Sequence, residues 1–322
     1  MLAVTAARSS PDDPLSALEV GERPDPVAGP GWVRVKVRAA ALNHHDLWTL
    51  RGVGISAERL PIVLGGDASG VDEGGDEVVV HAVIGDPDAG GGDETLDPKR
   101  TLLSELHDGT LADYVCVPAR NLVRKPAELT FDEAACLPTA WLTAYRMLFT
   151  KAQVRPGDRV LVQGAGGGVA SAATVLASAA GCHVTVTSRD PAKRDKAKSL
   201  GAQDVVEPGT RLSDRVDVVI ETVGEATWKH SLASLRPGGK VVVAGATTGA
   251  APPAELNRVF FLQLSVVGTT MGTRAELEAL LRFLVTSGVR PEIDRVYALA
   301  DARQAFERLA RGEQFGKIVL RP

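Results

Sequence analysis

The sequence predicts an α/β fold made of a β-rich domain, a doubly wound domain and a C-terminal return to the first. Three observations carry this expectation. Trp32–Val37 (WVRVKV) alternates strictly between apolar and polar residues, as a half-exposed strand does. From Arg159 onward, continuous apolar strands alternate with helical segments, the pattern of a parallel sheet covered on both faces. A run of glycines at 164–168 follows one of those strands and opens a helix.

Along the chain, Glu77–Val83 (EVVVHAV) and Ala112–Val117 (ADYVCV) are further short strands between Gly or Pro breaks. Residues 131–149 suit a helix. Arg159–Gln163 reads as a strand, followed by an Ala-rich helix through Ala180. His183–Thr187 and Val216–Glu221 are strands, followed by helices over Ala192–Leu200 and Ala226–Leu235; Lys240–Ala244 is the next strand. Glu276–Leu284 and Ala302–Ala310 look helical, and Lys317–Leu320 closes the chain as a short strand. The expected domains are 1–124, 125–268 and 269–322. Residues 85–100 (GDPDAGGGDETLDPKR) are the most loop-like stretch, polar and aperiodic.

Composition narrows the function classes. A chain of 322 residues forms one large domain or two medium ones. The net charge of −4 and the lack of a basic block argue against phosphate-driven nucleic-acid binding. No apolar run is long enough to span a bilayer, and the first residues lack the charged and apolar regions of a signal peptide. Cys116, Cys136 and Cys182 are far apart and odd in number, which suggests buried thiols in a reducing compartment. The cytoplasm is the expected location.

The stretch VLVQGAGGGVASAATVLASAAG is the most informative. Glycine lets the backbone approach a pyrophosphate, and the helix N-terminus behind it supplies free N–H groups and partial positive charge. A bare glycine motif is weak evidence, but here it follows a strand, opens a helix and begins a βαβ unit. Two registers fit. One takes Gly164 and Gly166 with Val169 third; the other takes Ala165 and Gly167 with Ala170 third, placing a small residue where helix meets strand. The turn Gly164, Ala165, Gly166, Gly167, Gly168 and Val169 is therefore the expected dinucleotide-binding loop, the plainer reading being a turn that only packs helix on sheet.

Sites for NAD usually place an acid at the tip of the second strand. That tip here reads Thr187, Ser188, Arg189, with Lys193 a turn later, and Asp190 is placed to cap the next helix. A hydroxyl, a guanidinium and an ammonium suit a 2′-phosphate, so NADP(H) is expected. Later strands end at Val223 and Gly224, at Gly245 and Ala246, and at Gly268, Thr269 and Thr270. Ligands lie at such carboxyl ends in open α/β sheets, so these residues are expected around the nicotinamide and its ribose.

Seven stretches together resemble the medium-chain dehydrogenase/reductase superfamily over nearly the whole chain: NHHDLW (43–48), LGGDASG (64–70), DGTLADYVCVPA (108–119), LPTAWLTAYRML (137–148), GAGGGVA (164–170), SLRPGGKVVVAG (234–245) and GKIVL (316–320). The resemblance implies a GroES-like catalytic domain, formed by the two ends of the chain, around an inserted Rossmann domain. It also adds Thr143 and Lys317, within two of those stretches, as cofactor contacts, and it implies a homodimer, for which an edge strand near Ser265–Thr269 is available.

Zinc-containing members of that superfamily carry a cysteine where this chain has Asn43, a Gly-His-Glu motif where it has Gly65, Gly66 and Asp67, and usually a cysteine where it has Thr139. Their structural-zinc loop has four cysteines; residues 85–107 here have none. The pattern is similar to the zinc-independent quinone oxidoreductase branch, which reduces quinones and other activated alkenes with NADPH. Read as strand residues, the adjacent His44 and His45 point to opposite faces and do not share one ion. By the resemblance His44 faces the cofactor phosphates and His45 the substrate, unless both are packed histidines. Asn43, Thr139 and His45 are the expected donors to the oxygen on which negative charge develops. A zinc-type alcohol dehydrogenase, or a nucleotide-binding sensor or structural protein without turnover, are the rival readings.

Overall fold

The alternation of WVRVKV runs on to Ala41, giving a ten-residue strand, Trp32–Ala41, at the centre of a seven-stranded sheet. Asp67–Asp72 and Lys317–Arg321 flank its second half, both antiparallel to it. The register sets Ala41 opposite Asp67 and next to Val319. Residues separated by most of the chain are thereby brought to one strand end. The strand bulges between Val37 and Ala39. Across it Gly70 lies so close that any Cβ there would overlap the Lys36 carbonyl oxygen.

The computed structural model describes residues 1–322, which form two compact units: Met1–Leu142 with Met271–Pro322, and Thr143–Thr270. The first unit adds a three-stranded sheet, Leu18–Glu22, Leu2–Ala6 and Ile62–Val63, to the larger one. Val35, Val37, Leu64, Leu111, Phe306 and Leu320 are among the residues that fill its core.

The second unit is a six-stranded sheet in the order Asp204–Val206, His183–Thr187, Arg159–Val162, Val216–Glu221, Leu235–Val243, Ser265–Gly268. Every pairing is parallel. Numbered along this unit, the order is 3-2-1-4-5-6, the doubly wound dinucleotide-binding arrangement, whose direction reverses beside the first strand. The α/β class is thus the one the sequence predicts.

Three local expectations need correction. His44 and His45 are not on a strand: they open the helix His44–Leu50. Asn43 precedes it with its backbone N–H bonded to Asp46 Oδ2 at 2.8 Å, and this tie turns the chain into the helix as soon as the strand ends. Residues 131–149 do not make one α-helix. A short helix, Phe131–Ala135, gives way to a π-helical turn, Leu137–Trp141, then an α-turn, Leu142–Tyr145, then a second π-turn, Arg146–Ala152. Pro138 has no N–H to donate and its ring crowds the preceding turn, so the helix widens there. Glu77–Val83 is two strands, Glu77–Val80 and Val83–Ile84, because the His81 N–H turns to the Asn121 carbonyl at 2.8 Å. The compact units divide after Leu142 and after Thr270.

Candidate functional site

In the first unit the ends of three adjacent strands converge on a buried ammonium. Lys317 Nζ donates to the Leu42 carbonyl at 2.7 Å, to Asn43 Oδ1 at 2.6 Å and to Asp67 Oδ2 at 2.9 Å. Its side chain is 2% exposed and that of Asp67 0%. An ammonium has three hydrogens, and all three are used. Lys317, expected at the cofactor, therefore has no donor left for a phosphate. Asn43 Nδ2 donates to the same Asp67 oxygen at 2.9 Å and, more weakly, to the Ala41 carbonyl at 3.4 Å. The Asn43 amide is thus turned into the cluster and is not a free donor to a substrate oxygen. It is a positioning residue between Lys317 and Asp67.

Asp46, in the first turn of the helix, is fully buried beneath this cluster. Its second oxygen accepts the Gly65 N–H at 3.0 Å. Burial pushes its carboxyl up to about 6, against the opposing pull of the Asn43 N–H and the charges of His45 and Lys317.

His45 is half-buried, and its Nε2 lies 3.1 Å from Glu105 Oε1. Burial pulls its pKa down, but the hydrogen bond to Glu105 and the negative charges of Asp46, Glu105 and Asp67 outweigh that, and the net shift is upward. His44 is exposed on the same helical turn. Thr139 is half-buried in the first π-turn, and its Oγ1 lies 3.5 Å from where a Cβ on Gly66 would stand. Sequence reasoning missed Glu105, whose partner is 60 residues away, and gave Lys317 the wrong neighbours.

In the second unit the Gly164 backbone takes φ +85°, a conformation that favours glycine, and its N–H donates to Thr187 Oγ1 at 3.0 Å. The helix Gly168–Ala179 begins behind it with Gly167 as N-cap and no side-chain cap. Nothing stands within 4 Å of a Cβ built on Gly167. First-turn N–H groups without a side-chain cap are what an anion needs. Ala165 and Ala170 are each 4% exposed, so the register ending on Ala170 has its small residue packed inward, while Gly166, Gly168 and Val169 are half-buried.

At the tip of the second strand Ser188 is buried and Arg189 exposed, with no acidic side chain paired to it. Asp190 caps the following helix through the Ala192 and Lys193 N–H groups. Arg194, which the sequence reading passed over, donates to the Ser188 carbonyl at 2.7 Å. Lys193 is half-buried beside it.

A buried polar chain supports these loops. Gln163 accepts from Thr187 Oγ1 at 2.9 Å and donates to Ser231 Oγ at 3.0 Å. Glu221 accepts from Ser231 Oγ, from Thr227 Oγ1 and from the N–H groups of Val223 and Gly224. The last two bonds fix the loop at the fourth strand's carboxyl end. Strand register then sets Gly245 and Ala246 beyond Val243, and Thr269 and Thr270 beyond Gly268, along the same edge. Thr269 Oγ1 is buried there without a partner. Thr143 is buried at the start of this unit.

Residues 29–127 match the alcohol dehydrogenase GroES-like domain, and residues 168–286 match the zinc-binding dehydrogenase family. A zinc-type alcohol dehydrogenase-like protein of Schizosaccharomyces pombe is 31% identical over 319 residues, covering 91% of each chain. The crystal structure of an NAD-dependent alcohol dehydrogenase superposes with a TM-score of 0.92 at 35% identity and full coverage of both chains. A 2-octenoyl-CoA carboxylase reductase, solved in complex with NADP and 2-octenoyl-CoA, superposes with a TM-score of 0.91 at 27% identity, covering 99% of this chain and 87% of that one.

The zinc that the family name implies does not fit the residues present. No group of three His, Cys, Asp or Glu side chains is placed to hold a metal ion. Asp67 and Asn43 are already bound to the Lys317 ammonium, Gly66 has no side chain, and a threonine hydroxyl alone is a poor ligand. The loop at 85–107 is tied instead by carboxylates, with Asp97 accepting the Asp86 and Lys99 N–H groups at 2.8 Å each. With both domains matched, and relatives aligned over nearly their full length, the chain belongs to the medium-chain dehydrogenase/reductase superfamily of oxidoreductases.

Proposed function

We propose that this protein is a zinc-independent, NADPH-dependent reductase of activated alkenes, compounds whose C=C is conjugated to a carbonyl, as in quinones, enones and enoyl thioesters. One observation carries the reading: a buried lysine ammonium neutralises Asp67 and donates to Asn43 Oδ1, so these two side chains serve a fixed cation of the protein itself and are not free to hold a Lewis-acid metal. Carbonyl reduction in a zinc-type alcohol dehydrogenase requires that Lewis acid. A conjugated alkene is already polarised and needs only hydrogen-bond donors on its oxygen.

The choice of cofactor rests on Ser188, exposed Arg189 and Lys193, with no acid free at the strand tip. The solved relative that carries NADP and an enoyl-CoA supports both cofactor and substrate class. The loop Gly164–Gly168 binds the pyrophosphate, and Val223, Gly245, Ala246, Gly268, Thr269 and Thr270 surround the nicotinamide end. A reduced nicotinamide, when bound, supplies the hydride. The protein's part is to orient the alkene and to stabilise the charge that reaches the carbonyl oxygen, through the Thr139 hydroxyl and the positive charge of the half-buried His45. His44, exposed one residue earlier, belongs with the cofactor phosphates.

No helix is long and apolar enough to cross a membrane, and the cytoplasm is the proposed location. A homodimer is proposed through the edge strand Ser265–Gly268. Val266 is 51% exposed there, and Phe260 and Phe261 on the preceding helix are 67% and 78% exposed.

The decisive measurement is NADPH oxidation with a panel of a quinone, an enone, an enoyl thioester and a simple ketone. Turnover on the conjugated substrates and none on the ketone is the expected result. Tight NADPH binding with no turnover on any of them means a nucleotide sensor instead.

A further inference from the structure

Hydride addition to an activated alkene leaves a reaction half finished. The hydride forms a C–H bond at the β-carbon, the C=C electrons move to the α-carbon and oxygen, and the resulting enolate needs a proton. The proposed reductase activity, on which this inference rests, names no source for that proton.

The first unit contains an acid built for it. Among the six histidines, His45 is the one that combines a half-exposed ring, a carboxylate partner and an upward-shifted pKa in the cluster described above. The Glu105 bond engages Nε2 and leaves Nδ1 available. Glu105 is itself aimed. Its other oxygen accepts the Leu102 N–H at 3.3 Å. The residue before it, Ser104, is fully buried at φ +66°, a left-handed conformation that is strained for a non-glycine residue. The turn is held by the Ser104 N–H on the His107 carbonyl at 2.9 Å and the Leu103 N–H on the Ala82 carbonyl at 3.1 Å. Strain retained in a buried turn whose next residue holds a histidine points to a functional constraint. Gly54 leaves room for Glu105, since a Cβ there would lie 3.2 Å from Oε1.

The charges facing His45 are carboxylates from three elements: Asp46 from its own helix, Asp67 from the neighbouring strand and Glu105 from the turn. The nearby cation, Lys317, is spent on Asp67. We propose that His45, oriented by Glu105, is the proton donor of the reaction: Nδ1–H of the imidazolium protonates the α-carbon of the enolate. The imidazole left behind regains its proton from water. Atoms and electrons balance, with one hydride from the nicotinamide and one proton from His45 adding across the C=C. Glu105 acts through His45 and is a positioning residue.

Two readouts test this independently of one another. An α-methyl enone is reduced with NADPH in D2O, and the configuration at the deuterated α-carbon is determined. kcat is measured against pH for the unaltered protein, His45→Gln and Glu105→Gln, with thermal melting as the check on folding. The unaltered protein is expected to deuterate one face and to lose activity as pH rises through the His45 pKa. His45→Gln is expected to slow turnover about 10²-fold, to lose the alkaline limb and to deuterate both faces. Glu105→Gln keeps the facial preference and moves the limb to lower pH, so it remains informative should His45→Gln fold poorly. One-sided deuteration by His45→Gln, or a limb that neither variant moves, overturns the assignment of His45 while the reductase reading stands. Absence of NADPH oxidation on every conjugated alkene overturns both.

Discussion

Lys317 shows what a single residue can decide here. Its ammonium and the Asp67 carboxylate are both taken out of water, and each is tolerable only because the other is present. Lys317→Met is expected to cost about 3–5 kcal/mol in denaturant unfolding, because it leaves Asp67 buried and uncompensated. Adding Asp67→Asn should recover much of that loss, and a double variant no better than the single one would contradict the pairing. Asp46 behaves oppositely. Its folded pKa of about 6 stands above the ordinary 3.8, so the folded state binds its proton more tightly than the unfolded chain. The stability this confers is fully present below about pH 4 and is lost as pH rises through about 6. Asp46→Asn should therefore flatten the stability profile between those limits, as read from urea midpoints across that range. The His45 shift was hidden in the sequence because its cause, Glu105, is 60 residues distant and approaches only through the Ser104 turn.

At the scale of elements, the loop after His183–Thr187 carries the cofactor prediction. Arg189 is exposed and unpaired, while Arg194 is committed to the Ser188 carbonyl and Glu207. Arg189→Ala should remove most of a preference for NADPH over NADH, a charge-assisted contact being worth roughly 1.5–3 kcal/mol, or about tenfold and more in Kd. Equal affinity for the two cofactors before mutation counts against the assignment. This element was legible in advance: strand, Ser-Arg tip and Asp190 cap are local in sequence, and local hydrogen bonding decides them. The helix at 131–149 was not. Its apolar content is helical, but Pro138 forces π-turns whose wider spacing no α-helical periodicity can reveal.

For the molecule as a whole, the absence of fitting ligands predicts metal independence in a family named for zinc. Protein purified without a tag and dialysed against a chelator should retain far less than one zinc per chain, measured by elemental analysis, and its NADPH-dependent turnover should not fall. Stoichiometric zinc that survives the chelator would show that the fold rearranges around Asp67 and Asn43 to bind it. Loss of activity with the metal would remove the reductase mechanism as stated.

The order of strands and helices, the glycine turn, the basic strand tip and the lack of zinc-ligand cysteines were all readable without coordinates, because each depends on periodicity, on backbone permissiveness or on side-chain chemistry within a few residues. Which side chains share a site was not. Asn43, Asp67 and Lys317 meet because two antiparallel pairings place residues 41, 67 and 319 on adjacent strands, and pairing register is set by the burial of whole sheet faces. The same packing turned the Asn43 amide inward, removed Lys317 from the cofactor, and put Glu105 against His45. Sequence determined the chemistry available to this protein. Tertiary structure decided which groups are spent on one another and which remain for a substrate, since desolvation and hydrogen-bond geometry exist only once the chain is packed.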